Sequence, residues 1–391
     1  MVSLIGISAA RRIAAGLGFA AVASLMGCAA MEVGSGDATL RPVLVDDDEL
    51  VVLFGDEVSA ADLNREVTGR GYVVREARPL ASLDLNLLTL TIPDGVTGKA
   101  AIAEVEGIEP RSTAGINHAF HSPTVIASAD PRRYADRMLG WPSNGCRAAA
   151  KVGLIDTFVD AADPSLSGVR IISESFGDAD ATVTRHGTDI AAIIADQRRL
   201  QDVSIYNAAV IGGTETGGQA AGVDELVEAL DWLAANDVRI VNMSLAGPFN
   251  KILARGVNAA AARGMIIVAA VGNDGDGAPP LYPAAYPTVL AVTAVDVEAQ
   301  VYPRAVQGEH IDVAAPGVDV FVAAGEAGRF STGTSIAAPF VTARIAADPA
   351  LAAAPDIEAV REALRSGAAD LGPVGFDPTY GAGLVDGPSG C

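Results

Sequence analysis

The chain has 391 residues, half of them hydrophobic, and a formal net charge of −21, which is ample for one sizeable α/β domain with smaller pieces attached. Such a balance leaves no basic stripe to neutralise phosphates, which argues against nucleic acid as a partner. It reads instead as the solvated acidic surface of an exported protein.

The first predicted element is an export signal. Arg11 and Arg12 stand ahead of an apolar run over residues 13–26 with small residues near its end, a basic segment followed by an apolar one too short for a permanent span. Leu25-Met-Gly-Cys28 is similar to the bacterial lipoprotein box. That similarity implies a signal peptide over 1–27, acylation of Cys28 and a membrane anchor in the cell envelope, at the outer membrane in a Gram-negative host. An ordinary secretory peptide cut near Ala29 or Ala30 is the alternative. Residues 28–49 read as an acidic linker. Over 50–120 the signals run β-α-β-β-α-β: Leu50-Val-Val-Leu-Phe54, a helix over 59–69 capped by Ser59, Gly71-Tyr-Val-Val-Arg75, a strand over 88–92, a helix over 97–106, and a last strand Ala114-Gly-Ile-Asn-His-Ala-Phe120.

From residue 150 onward Ala-rich helices alternate with Val/Ile-rich strands, which predicts a parallel sheet covered on both faces. Lys151-Val-Gly-Leu-Ile155 is a buried strand that delivers Asp156 at its end, where open α/β sheets keep their ligand crevice. His186, in Arg185-His-Gly-Thr188, and Ser335, in Thr332-Gly-Thr-Ser-Ile-Ala-Ala-Pro339, each stand at a helix start. Met265-Ile-Ile-Val-Ala-Ala-Val-Gly-Asn273 is another strand, ending in an amide. Serine becomes a nucleophile when a base takes its proton and a carboxylate fixes that base. An oxyanion is then met by the Asn273 amide and by the Ser335 N–H at a helix N-terminus. Singly, each motif is ordinary turn or cap chemistry; four in this order are not.

These motifs resemble those of the subtilisin-type serine peptidases, the subtilases, in the order Asp, His, Ser. Val241-Asn-Met-Ser-Leu245, Leu281-Tyr-Pro-Ala-Ala-Tyr-Pro287, Val313-Ala-Ala-Pro-Gly317 and Asp377-Pro-Thr-Tyr-Gly-Ala-Gly-Leu-Val-Asp386 extend the resemblance over about residues 121–386. It implies a mostly seven-stranded parallel sheet in a peptidase domain over 121–391 and an acyl-enzyme mechanism run by Asp156, His186 and Ser335, with Asn273 in the oxyanion hole. Substrate would lie as an extended strand on Ser244-Leu245-Ala246, with an apolar primary pocket walled by Ala270, Gly272 and Leu281 and broad specificity. Ala246 departs from the glycine usual there. By the same resemblance, residues 50–120 are a propeptide that inhibits its own peptidase and is cut from it near Phe120–His121; an unrelated small α+β domain is the alternative. The serine motif is not the Gly-x-Ser-x-Gly of α/β-hydrolases, and a histidine base with an amide donor implies neutral to alkaline activity.

No cofactor is called for. Calcium is common in the family, yet no loop matches a known site, and the acidic stretches 160–163 and 274–276 are the only candidates. With Cys28 lipidated, Cys146 and Cys391 remain, and an exported enzyme with two thiols invites a disulfide; two unpaired thiols are the alternative.

Overall fold

The structure, a computed structural model, describes residues 49–118, 134–213, 219–325, 327–388 and 391. The signal segment, Cys28, most of the acidic linker and the Phe120–His121 bond lie outside the described residues.

The N-terminal module is built from β1 (Glu49–Gly55), α1 (Ala60–Thr68), β2 (Val73–Leu80), β3 (Leu85–Thr91), α2 (Gly98–Ile108) and β4 (Thr113–Ile116). Both helices open on hydroxyl caps: Ser59, the cap expected from the sequence, accepts from the Asp62 N–H, and Thr97 from the Ala100 N–H. The antiparallel sheet runs β2-β3-β1-β4. Strand β2, on the sheet edge, outlasts its apolar stretch, because a bulge between Val74 and Glu76 keeps it paired to β3; Arg75 is exposed, whereas Arg78 pairs with Glu228. Alternation sorts β1 onto two faces. Leu50, Val52 and Phe54 pack with Leu63, Val67, Ala101 and Val105 in a small core of the module's own. Val51 and Leu53, with Leu85 and Leu87, join the large core of the rest of the chain.

That larger unit carries β5 (Val152–Asp156), β6 (Arg170–Ser175), α3 (Arg185–Ile194), β7 (Ser204–Ala209), α4 (Val223–Ala235), β8 (Ile240–Met243), α5 (Lys251–Ala262), β9 (Ile266–Ala270), β10 (Val289–Val295), β11 (Val313–Pro316), α6 (Thr334–Ala347) and α7 (Ile357–Gly367). Its seven strands pair in the order β11-β10-β9-β8-β5-β7-β6, all parallel, with helices flanking the sheet. Continuous apolar runs are what such a doubly covered sheet needs, and every residue of β5, β8, β9, β10 and β11 is buried. Helix α6, buried along its whole length, packs on β8, β9, β10 and β11 and against α3.

Helices α4 and α5 lie side by side and carry the module. Close approach is possible because Gly115 of β4 has no side chain: a Cβ there would stand 2.9 Å from Ile252 Cγ1. Arg255 of α5 donates to the Leu53 and Arg111 carbonyls at 3.1 and 3.2 Å, and Lys251 meets Glu106 at 2.5 Å. At the far side of the chain, Cys146 and Cys391 are joined by a disulfide, Cα to Cα 5.2 Å, which ties the C-terminus to the start of this unit.

Candidate active site

Asp156 ends β5 fully buried, and its Oδ1 accepts from His186 Nδ1 at 2.7 Å and from the Thr157 N–H at 2.7 Å. His186 occupies the second position of α3. It reaches Asp156 because Gly187 lets the helix lean on the loop after β5: a Cβ at Gly187 would lie 2.6 Å from the Thr157 carbonyl oxygen, and the Gly187 N–H donates to Thr157 Oγ1 at 2.8 Å. With Nδ1 taken, Nε2 is the nitrogen left to receive a proton; it is buried and has no hydrogen-bond partner. Burial lowers the imidazole pKa, but the Asp156 carboxylate outweighs it by charge and hydrogen bond, with Asp189 adding to the effect. The net value stands above the ordinary 6.5.

Ser335 is the second residue of α6, and its Oγ is likewise buried and unpartnered. The neighbouring amide is fixed by its acceptor end. Asn273 Oδ1 receives the Thr334 N–H and the Thr334 hydroxyl, both at 3.0 Å, so Nδ2 must face the other way. A Cβ built on Gly333 would stand 3.2 Å from Ser335 Oγ, 3.3 Å from Asn273 Nδ2 and 3.9 Å from the Ser335 nitrogen. The nucleophile and two donors thus converge on one small volume that a side chain would fill.

Sequence reasoning missed the side chains that hold these parts in place. Asp189, one turn beyond His186, bonds Arg329 Nε at 3.0 Å and Ser331 Oγ at 3.4 Å, tying the histidine helix to the strand that leads into Ser335. Burial nonetheless pushes the Asp189 carboxyl up against the pull of Arg329. Thr342 donates to Asn242 Oδ1 at 3.0 Å, Asn242 Nδ2 to Ser244 Oγ at 2.8 Å, and Ser244 Oγ to the Ser335 carbonyl at 3.0 Å. The Ser244 side chain therefore serves the helix start. Leu245 and Ala270 are buried in the core. Ala246, Gly272 and Leu281 meet: a Cβ on Gly272, at φ 97°, would lie 2.4 Å from Leu281 Cδ1 and 3.5 Å from Ala246 Cβ. The Asp163 carboxylate is spent on Ser165 and the Gly325 N–H, and among the described residues no three His, Cys, Asp or Glu gather as metal ligands. No helix among the described residues is long and apolar enough to cross a membrane.

An imidazole clamped by a buried carboxylate, and a serine hydroxyl that converges with an amide Nδ2 and a backbone N–H on one glycine, lie within a stretch that has counterparts in known proteins. A family model described as the Subtilase family matches residues 147–383. The chain belongs to the subtilase family of serine proteases. Minor extracellular protease Epr of Bacillus subtilis (strain 168) is 33% identical over 215 residues, 51% of this chain and 32% of that protein. Subtilisin DY of Bacillus licheniformis is 33% identical over 254 residues, 61% of this chain and 89% of that one. The chain thus spans about a third of the first relative and most of the second. Among solved structures, fervidolysin from Fervidobacterium pennivorans has a TM-score of 0.70 at 19% identity, covering 88% of this chain and 62% of its own. The epidermin leader peptide processing serine protease of Staphylococcus aureus has 0.65 at 15%, covering 87% and 98%. At these identities the structures establish the subtilisin-like fold. Their coverage of this subtilase exceeds what residues 119–391 alone could supply, so the likeness reaches into the N-terminal module.

Proposed function

We propose that this subtilase is an exported serine endopeptidase that works through an acyl-enzyme, with Asp156, His186 and Ser335 as its triad and Asn273 in the oxyanion hole. His186 Nε2 takes the hydroxyl proton as Ser335 Oγ attacks the peptide carbonyl. The negative oxygen is met by Asn273 Nδ2 and the Ser335 N–H, and the histidine passes its proton to the departing amine. Water, deprotonated by the same nitrogen, then releases the acyl group. The convergence of Ser335 Oγ, Asn273 Nδ2 and the Ser335 N–H on Gly333 is the observation that carries this reading.

Substrate pairs as a strand with the backbone of residues 244–246, contacts that ignore side-chain identity and favour broad specificity. Its primary pocket is apolar, walled by Ala270, Gly272 and Leu281 and narrowed by Leu281. Residues 50–120 act as propeptide and inhibitor, an assignment supported by the module's seat on α4 and α5, and self-cleavage falls at Phe120–His121. Export and the Cys28 lipid anchor rest on the N-terminal motifs; the relative named an extracellular protease is in keeping with export. Cleavage would leave the peptidase at the membrane only while the module holds it noncovalently.

The test is labelling by a fluorophosphonate, which needs an activated serine. Strong labelling of the processed wild type and none of Ser335→Ala is expected; no labelling of any processed form would show a peptide-binding module that keeps the fold without the chemistry.

A further inference from the structure

Asn117 lies one residue beyond β4, is 1% exposed, and has every polar atom of its carboxamide matched. Its Nδ2 donates to Asp224 Oδ1 at 2.6 Å and to Glu49 Oε1 at 2.5 Å, and its Oδ1 accepts the Val223 N–H at 2.5 Å. Glu49 belongs to the module, whereas Val223 and Asp224 open α4 of the peptidase. The Asp224 carboxylate also accepts from its own N–H and that of Glu225, which fixes its direction. Gly222 provides the room: a Cβ there would lie 2.9 Å from Asn117 Nδ2, 2.6 Å from Asp224 Oδ1 and 2.3 Å from Glu225 Oε2. Glu225 Oε2 is buried at this spot with no hydrogen-bond partner. On the opposite wall Asn250, which caps α5, donates to the Ile116 carbonyl at 2.8 Å and lies 2.9 Å from His118 Nδ1. Residues 116–118 are thereby held between the two helix starts.

We propose that the Val223 N–H, the bare Gly222 backbone and the Asp224 carboxylate form a substrate subsite that selects an asparagine side chain four residues before the scissile bond. The inference rests on the peptidase reading above and on its cleavage after Phe120, from which Asn117 is the fourth residue back. The site offers one donor and one acceptor side by side, and a carboxamide answers both. An aspartate would place a third carboxylate beside Asp224 and Glu225. A lysine or arginine has no acceptor for the Val223 N–H, and a leucine leaves that N–H unpaired and gives the Asp224 carboxylate no side-chain donor. A site built to hydrogen-bond a polar side chain rejects an analogue lacking it far more strongly than an apolar pocket rejects a change of size.

The experiment compares kcat/KM of the processed wild-type enzyme on peptides of this chain's residues 114–124, with Asn117 kept or replaced by Ala, Leu, Asp or Arg. The asparagine peptide should be cut at least about tenfold faster than each replacement, and this ratio should fall towards one in Asp224→Ala and in Gly222→Ala. Should either variant fail to fold, the wild-type series still decides. A leucine or arginine peptide cut as fast as the asparagine peptide overturns the subsite. An enzyme that labels with fluorophosphonate yet ignores the asparagine overturns the subsite alone, whereas one that neither labels nor hydrolyses any peptide overturns both readings.

Discussion

The candidate active site and the seat of the N-terminal module both bury carboxylates, and they do so in opposite ways. Asp156 has one imidazole and one backbone N–H committed to it, each at 2.7 Å. On α4, by contrast, Asp224, Glu225, Glu228 and Asp231 lie under the module beside its Glu49 and Glu76. Arg78 pairs with Glu228, Arg263 just past α5 pairs with the module's Asp84, and Asn117 supplies neutral donors. Burial is the first cause that pushes all four carboxyls up, and neighbouring acids add to it at Asp224, Glu225 and Glu228. Glu228 rises to about 8 in spite of Arg78. A buried charge with a dedicated partner is held in place, while crowded acids beneath the module are costly to ionise.

The sharpest blow to the catalytic half of this comparison is Ser335→Ala, which should lower kcat on the order of a millionfold, read in steady-state peptide hydrolysis. Asn273→Ala should cost on the order of a hundredfold to a thousandfold in kcat with KM little changed; wild-type turnover would remove Asn273 from the oxyanion hole. For the seat, pH is the lever. Carboxyl values in the bound state lie above the free ones, so the protonated form binds more tightly: the seat is strongest below the ordinary glutamate value of 4.5 and weakens as pH rises through about 8 at Glu228. Gel filtration of the cleaved but associated enzyme between pH 5 and 9 should show the module leaving at the alkaline end, with at least about a tenfold loss of affinity. Tighter association at pH 9 would contradict the crowding argument. The catalytic acid limb runs the other way: His186 must be neutral to act, and its value is raised, so kcat/KM should fall as pH drops through a midpoint above 6.5. Smallest is Thr334→Val, which removes one of two bonds to Asn273 Oδ1 and should cost severalfold in kcat.

Much of this was legible in the sequence because local chemistry dictated it. The apolar runs of β5 and β9 had to be buried strands, Ser59 had to cap a helix, and Asp156, His186, Asn273 and Ser335 each end or begin an element. The sequence order of module strands was readable too, although the bulge that prolongs β2 was not. What escaped depends on chain segments meeting across long separations: Asp189 with Arg329 over 140 residues, Asn117 with Asp224 over 107, Thr334 with Asn273 over 61. Nothing in Gly222 or Gly333 announces that its missing Cβ leaves room for polar atoms. The continuous apolar run of β1 predicts a buried strand, yet not that one of its faces lies on a second body.

One measurement joins the two regions: N-terminal sequencing of purified full-length wild type beside Ser335→Ala. The account predicts a wild-type enzyme whose catalytic chain begins at or close to His121 and a variant that stays one continuous chain. An active wild type still continuous with the segment before residue 121, or a Ser335→Ala chain cut at the same bond when no other protease is present, would contradict it.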